Sequence, residues 1–217
     1  HKWWSNKFNK MKRIGILGDI GSGKSFVAKL FGFPVFNADE EVKKIYKYEK
    51  KCFKKLKRKF PNHISKYPID KIQIIKIILD KKNNINKLGK VVHPFVTKNL
   101  KSFLKKNKNK NFILDIPLLM ENKILKKKLY LVFIDAKYSK IRKKLVKRPG
   151  FNNKIYKIMK KNQLPLITKK KASDIIIKNN FKKREIINQI NKIKKIFNND
   201  WNYSRHRNNR FVSERWS

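Results

Sequence analysis

Gly18-Asp19-Ile20-Gly21-Ser22-Gly23-Lys24-Ser25 fits the pattern G-x-x-x-x-G-K-[ST], in which backbone N–H groups wrap the phosphates of a nucleotide. Its flanks supply the context that pattern needs. Lys12 to Leu17 reads as a short apolar strand, and Phe26 to Phe31 as an amphipathic helix with Val27, Leu30 and Phe31 on one side. A strand, a glycine-rich turn and a helix start together make an anion site, because the first-turn N–H groups lack partners and the helix dipole is positive there. In such a loop Lys24 reaches the β- and γ-phosphates and the Ser25 hydroxyl holds Mg²⁺.

Outward from this loop the chain alternates short apolar strands with helical patterns. Val35-Phe36 is a second strand, ending at Asn37-Ala38-Asp39. Glu40 to Lys59 has helical periodicity, as do Ile69 to Leu79 and Leu88 to Leu104, the last running around His93-Pro94. Further strands are expected at Asn111–Asp115, Leu129–Asp135 and Ser173–Asn179, with helices over Ser139–Lys147, Asn153–Gln163 and Lys182–Phe197. Five apolar strands separated by helices predict an α/β fold: a five-stranded parallel sheet covered on both faces, as in a three-layer sandwich. Residues 11–39 and 107–200 form the nucleotide-binding core in this reading, with a region able to form a flap at about 139–165. Residues 40–106 are a helical insertion large enough to form a substrate lobe. Gly18, Asp39, Asp115 and Asp135 all fall at or just beyond strand C-terminal ends, where ligands of parallel sheets gather.

Composition bounds the partners. Among 217 residues, 59 Lys and Arg against 14 Asp and Glu leave a net charge of +45. The excess is spread along the chain, and Asn and Ile are over-used beside Lys, the trio an AT-rich genome favours. A specific nucleic-acid partner is therefore not expected, although a basic nucleotide-loop protein that binds nucleic acid is the alternative from another class. One cysteine, Cys52, excludes an intramolecular disulfide and reads as a small core residue. No apolar run is long enough to span a bilayer, so a cytoplasmic protein without a membrane partner is expected, as a monomer or small homo-oligomer. All four tryptophans lie at the two ends, and four of the nine arginines crowd the last seventeen residues. Residues 1–10 and 201–217 are accordingly expected to be appendages outside the fold, with Met11 as the natural start.

The scarcity of acids makes each one informative. Asp115, after three apolar residues, is placed like the strand-end carboxylate that binds Mg²⁺ in nucleotide-loop enzymes. Asp39, past a neighbouring strand, is a candidate general base for an attacking hydroxyl. Arg148 lies where a flap over the nucleotide would bring a positive charge to the transferred phosphoryl group.

Taken together, Gly15 to Ser25, Asn37-Ala38-Asp39, His93-Pro94, Asp115-Ile116-Pro117-Leu118-Leu119 with Glu121, Arg148, Gln163 and Lys171 to Asn179 resemble the dephospho-CoA kinase family across about residues 12–197. The resemblance implies transfer of the ATP γ-phosphoryl group to the ribose 3′-hydroxyl of dephospho-CoA, with Mg²⁺; a nucleoside or nucleotide kinase on the same core is the enzymatic alternative. It also implies a lid over ATP at about 139–165, an acceptor-binding role for the helical insertion 40–106, and that Gly18 to Ser25 with Phe26, Arg148 and Asn179 bind ATP. Asp39 becomes the base beside catalytic Lys24 and Arg148, and His93, Pro117 and Leu118 lie on the acceptor side. Four positions depart from the family pattern. Asn37 replaces an acid, Asp19 a glycine, and Lys71 and Lys144 replace arginines, keeping charge but losing the planar fork.

Overall fold

A computed structural model describes residues 12–116 and 129–198. Five parallel strands, β1 (Arg13–Gly18), β2 (Val35–Asn37), β3 (Phe112–Asp115), β4 (Tyr130–Asp135) and β5 (Ile175–Lys178), lie in the order β2-β3-β1-β4-β5. The strand bearing the nucleotide-type loop is thus central, and its C-terminal end opens between β3 and β4. Side chains alternate across the sheet as strand geometry requires. Ile14, Ile16, Ile113, Val132, Ile134 and Ile177 face one layer, made by α1 (Lys24–Leu30) and α9 (Lys183–Asn198). Leu17, Phe36, Phe112, Leu114 and Phe133 face the other, where the C-terminal half of α5 (Asn84–Lys106) and Leu166, at the start of α8 (Leu166–Lys171), pack. Burial on both faces is why these strands read as continuous apolar runs.

Between β2 and β3 the chain builds a helical lobe from α2 (Ala38–Tyr48), α3 (Lys50–Lys59), α4 (Lys71–Asp80) and α5. It has its own core of Ile45, Cys52, Leu56, Phe60, Ile64, Ile77, Leu88 and Val92. Helix α5 belongs to both bodies, because Leu100 and Phe103 sit on the sheet while Leu88 and Val92 sit in the lobe. Cys52 is fully buried there, and desolvation, followed by the nearby Glu49 charge, pushes its thiol up to about 11.

Three local readings change. The single helix expected over Glu40 to Lys59 is two, broken at Glu49, which is extended (φ −97°, ψ 91°). The Tyr46 carbonyl, near the end of α2, accepts from the Ile69 N–H (3.1 Å), a long-range partner that periodicity cannot reveal. Helix α5 begins four residues earlier than expected because buried Asn84 donates to the Ile77 carbonyl (2.9 Å), tying its start to the end of α4. Pro94 is accommodated inside α5 on an exposed face. Helix α8 was not expected: its six residues, three of them lysine, are entered from Pro165 and carry no readable apolar period.

Helices α6 (Tyr138–Val146) and α7 (Asn153–Lys161) follow β4. Ile155 and Ile158 of α7 pack into the helical-lobe core, whereas Ile141, Leu145 and Tyr156 form a separate cluster that includes Ile20 of the loop. The α6–α7 pair therefore bridges the loop and the lobe. Among the described residues no helix is long and apolar enough to cross a membrane. The expected appendages, 1–10 and 201–217, lie outside the described residues.

Candidate active site

The loop after β1 owes its shape to three glycines with positive φ: Gly18 (148°), Gly21 (82°) and Gly23 (87°). Their missing Cβ atoms also make room. A Cβ on Gly21 would stand 2.9 Å from Leu145, and one on Gly23 would stand 2.5 Å from Asn179 Nδ2. Gly23→Ala is expected to cost about 1–3 kcal/mol through backbone strain alone, a fall in melting temperature of roughly 2–12 °C for a chain of this size. Thermal denaturation beside an ATP-binding titration checks this. An unchanged midpoint would mean that the loop does not need its left-handed residue at position 23.

Asn179, 3% exposed, braces the loop from below. Its amide donates to the Ser22 carbonyl (2.7 Å), and its side-chain oxygen accepts from the Phe181 N–H (2.7 Å). Ser22 Oγ is buried and has no hydrogen-bond partner among the described residues. Lys24 opens α1, and its Nζ donates to the Asp19 carbonyl (2.7 Å) and weakly to the Gly18 carbonyl (3.4 Å). Burial lowers the Lys24 pKa, while the charges of Asp115, Asp39 and Asp19 raise it and that of Arg148 lowers it further. Those four side chains, from four separate segments, thus act on one ammonium group. Arg148 is exposed on the turn between α6 and α7, and Phe26 is 44% exposed at the surface of α1.

Parallel register sets Asn37 opposite Asp115 at the ends of β2 and β3. The Asn37 amide donates to Asp115 Oδ2 (2.7 Å) and to Ser25 Oγ (3.0 Å), and Ser25 Oγ donates to Asp115 Oδ2 (2.5 Å). Asn37 Oδ1 meanwhile caps α2 by accepting from the Glu40 N–H (2.9 Å). Asn37 thus holds the serine and the aspartate together and fixes the start of the helix that carries Asp39. Its residue type marked it only as a departure from a family pattern; the register gives it a task. Asp39, in the first turn of α2, holds its carboxyl within reach of the Asp115 and Lys24 charges. Desolvation by the surrounding protein, followed by the Asp115 charge, raises its carboxyl above the ordinary range, with Lys24 opposing. Ser25 Oγ and Asp115 form a hard-oxygen pair suited to Mg²⁺, which takes one or two protein carboxylates and completes its shell elsewhere. Among the described residues no cluster of three or more His, Cys, Asp or Glu could hold a metal unaided.

Asp19 is 5% exposed. Its Oδ1 accepts from the Ile20 N–H (2.8 Å), and its Oδ2 pairs with Lys160 Nζ of α7 (2.9 Å). Burial lowers the Lys160 amine, but the hydrogen bond and charge of Asp19, with Tyr156, outweigh it and raise the net value. Nothing in the sequence linked these two residues. Lys144 sits 4.6 Å from the centroid of the Phe181 ring, and Lys71 Nζ donates to the Gly150 carbonyl (3.3 Å), joining α4 to the α6–α7 turn. His93 is exposed on α5 beside Gly89 and is not joined to the loop cluster. Pro117 and Leu118 lie outside the described residues.

Comparison with known proteins places this arrangement. A protein described as "Dephospho-CoA kinase" from Wolbachia sp. subsp. Brugia malayi (strain TRS) is 32% identical over 186 residues, covering 83% of this chain and 95% of its own length. One of the same description from Bartonella quintana (strain Toulouse) is 30% identical over 77% of this chain and 88% of its own length. Among solved structures, a Thermus thermophilus protein superposes with a TM-score of 0.69 at 26% identity, covering 85% of this chain and 96% of that one. A Campylobacter jejuni dephospho-CoA kinase shares the fold (TM-score 0.58, 21% identity, 86% and 97% covered). Residues 12–185, from the central strand through the start of the last helix, match the family described as dephospho-CoA kinase, and the chain belongs to that family.

Proposed function

We propose that this P-loop kinase transfers the γ-phosphoryl group of ATP to the ribose 3′-hydroxyl of dephospho-CoA, giving coenzyme A and ADP, the last step of coenzyme A synthesis. The observation that carries the reading is the convergence of Lys24, Asp39 and Asp115 on one electrostatic site at the sheet's C-terminal edge, in a chain that matches this family over 12–185. Gly18 to Phe26 receive the phosphates, with Asn179 supporting the loop from beneath the nucleotide. Ser25 and Asp115 would hold Mg²⁺, which neutralises charge across the β- and γ-phosphate oxygens when bound.

The chain's own residues then do three things. Asp39 accepts the proton of the 3′-hydroxyl as that oxygen bonds to the γ-phosphorus and the bridging oxygen leaves with ADP; a carboxyl raised above the ordinary range is the better base for it. Lys24 stabilises the phosphoryl oxygens, and Arg148 adds charge from the lid of about residues 139–165. Residues 40–106 present the acceptor, with His93, Pro117 and Leu118 on that side. The setting we assign is cytoplasmic, with the enzyme a monomer or small homo-oligomer.

The test measures ADP release with dephospho-CoA against a panel of nucleosides and nucleotides, with the phosphorylated position identified in the product. Turnover with dephospho-CoA at least about a hundredfold above any nucleoside is expected, since a site built for hydrogen-bonding an acceptor rejects analogues that leave its polar groups unpaired. Preference for a nucleoside or nucleotide would replace the acceptor assignment and keep the kinase core.

A further inference from the structure

Asp19 puts a nearly buried carboxylate into the loop meant for polyphosphate, and its side chain is paired across 141 residues of sequence with Lys160 at 2.9 Å. The same residue's carbonyl accepts from Lys24 Nζ at 2.7 Å. Lys160, its side chain 39% exposed, also donates to Tyr156 Oη (3.4 Å) and stands 5.2 Å from the Tyr138 ring centroid and 5.8 Å from that of Tyr156. Its helix, α7, is anchored on the helical lobe through Ile155 and Ile158.

An unpaired carboxylate here would repel the phosphates and would itself suffer desolvation. We infer that Lys160 is a positioning residue for nucleotide binding: its ammonium neutralises Asp19 and ties the lid helix to the phosphate loop, so that the acid is tolerated only because the lysine is present. The inference rests on the reading that this loop holds ATP, and is independent of which acceptor is phosphorylated.

The pair predicts an asymmetric mutant cycle. Lys160→Met leaves the carboxylate buried and unpaired, and should weaken MgATP binding at least about tenfold, with kcat at saturating ATP altered much less than KM. Adenosine, which carries no phosphate, should lose little affinity in the same variant. Asp19→Gly added to Lys160→Met removes the orphaned charge and should recover at least about threefold of the lost affinity, a coupling expected of residues in direct contact. Lys160→Arg keeps the charge and should bind better than Lys160→Met.

The measurement is displacement of a fluorescent ATP analogue by MgATP or adenosine on the full chain without acceptor, with a thermal melt of each variant. A Lys160→Met protein that binds MgATP as wild type does overturns the inference. So does a weakened Lys160→Met that Asp19→Gly fails to improve, or one that loses adenosine as severely as ATP. Should Lys160→Met not fold, the double variant must fold and bind MgATP, and its failure also overturns the inference. A wild-type chain that binds MgATP yet ignores dephospho-CoA refutes the acceptor assignment alone and leaves this cycle to be read.

Discussion

Lys24→Ala is expected to lower kcat by about 10²–10³-fold, the usual consequence of removing one preorganised donor from a developing oxyanion. The ammonium donates to the Asp19 and Gly18 carbonyls, inside the loop. Burial lowers its pKa, which three carboxylates partly restore. Triphosphate brings further negative charge to this amine and favours its protonated form. The alanine variant therefore loses ground-state contacts as well, and ATP affinity should fall with kcat. Lys24→Arg should not restore the rate, because a bulky planar fork does not occupy the place of a compact ammonium. Steady-state kinetics with an ATP-binding titration check both variants. Turnover within tenfold of wild type in Lys24→Ala would remove the loop from the mechanism.

The second large effect is at Asp39. Asp39→Asn should reduce kcat by about 10²–10⁴-fold, the range for a positioned general base, while KM for ATP changes little. The raised carboxyl also fixes a sign for stability. A folded-state pKa above the unfolded value means that the folded protein holds this proton more tightly, so ionisation costs stability. That cost is fully present above the raised pKa and is relieved as pH falls through it toward the ordinary value of about 3.9. Asp39→Asn should therefore melt higher than wild type at neutral pH, with the gap closing in acid. Wild-type kcat/KM should fall on the acid side with an apparent pKa above the ordinary carboxylate value, and that limb should vanish in the variant. A kcat close to wild type would reject the base assignment, and a lower melting point at neutral pH would reject the desolvation behind the shift.

Both effects depend on a pair of strand ends brought side by side. Asp39 and Asp115 were singled out from position alone, each just past an apolar run, and the charges of both act on the Lys24 ammonium. Asn37 was read only as a lost acid. Its amide instead links Ser25 to Asp115 while its oxygen caps α2. A carboxylate at position 37 could not donate either bond, so the substitution exchanges a second charge for a donor. Asp19 stands out in the sequence as an acid in place of a family glycine, and its partner on α7 supplies the opposing charge.

What the sequence determined by itself is the part of the fold written in short-range patterns. The glycine loop requires positive φ at fixed positions, and two-faced burial forces strands to be apolar throughout. Those signals span a few residues each, so the fold class, the strands and the loop chemistry follow from reading along the chain. Tertiary structure alone decided which distant residues meet. The order β2-β3-β1-β4-β5 and the register opposing Asn37 to Asp115 unite residues 78 apart, and packing of α7 on the helical lobe carries Lys160 to Asp19. A contact across a sheet or between lobes leaves no period in either segment, because its energy belongs to the pair and appears only when both are in place.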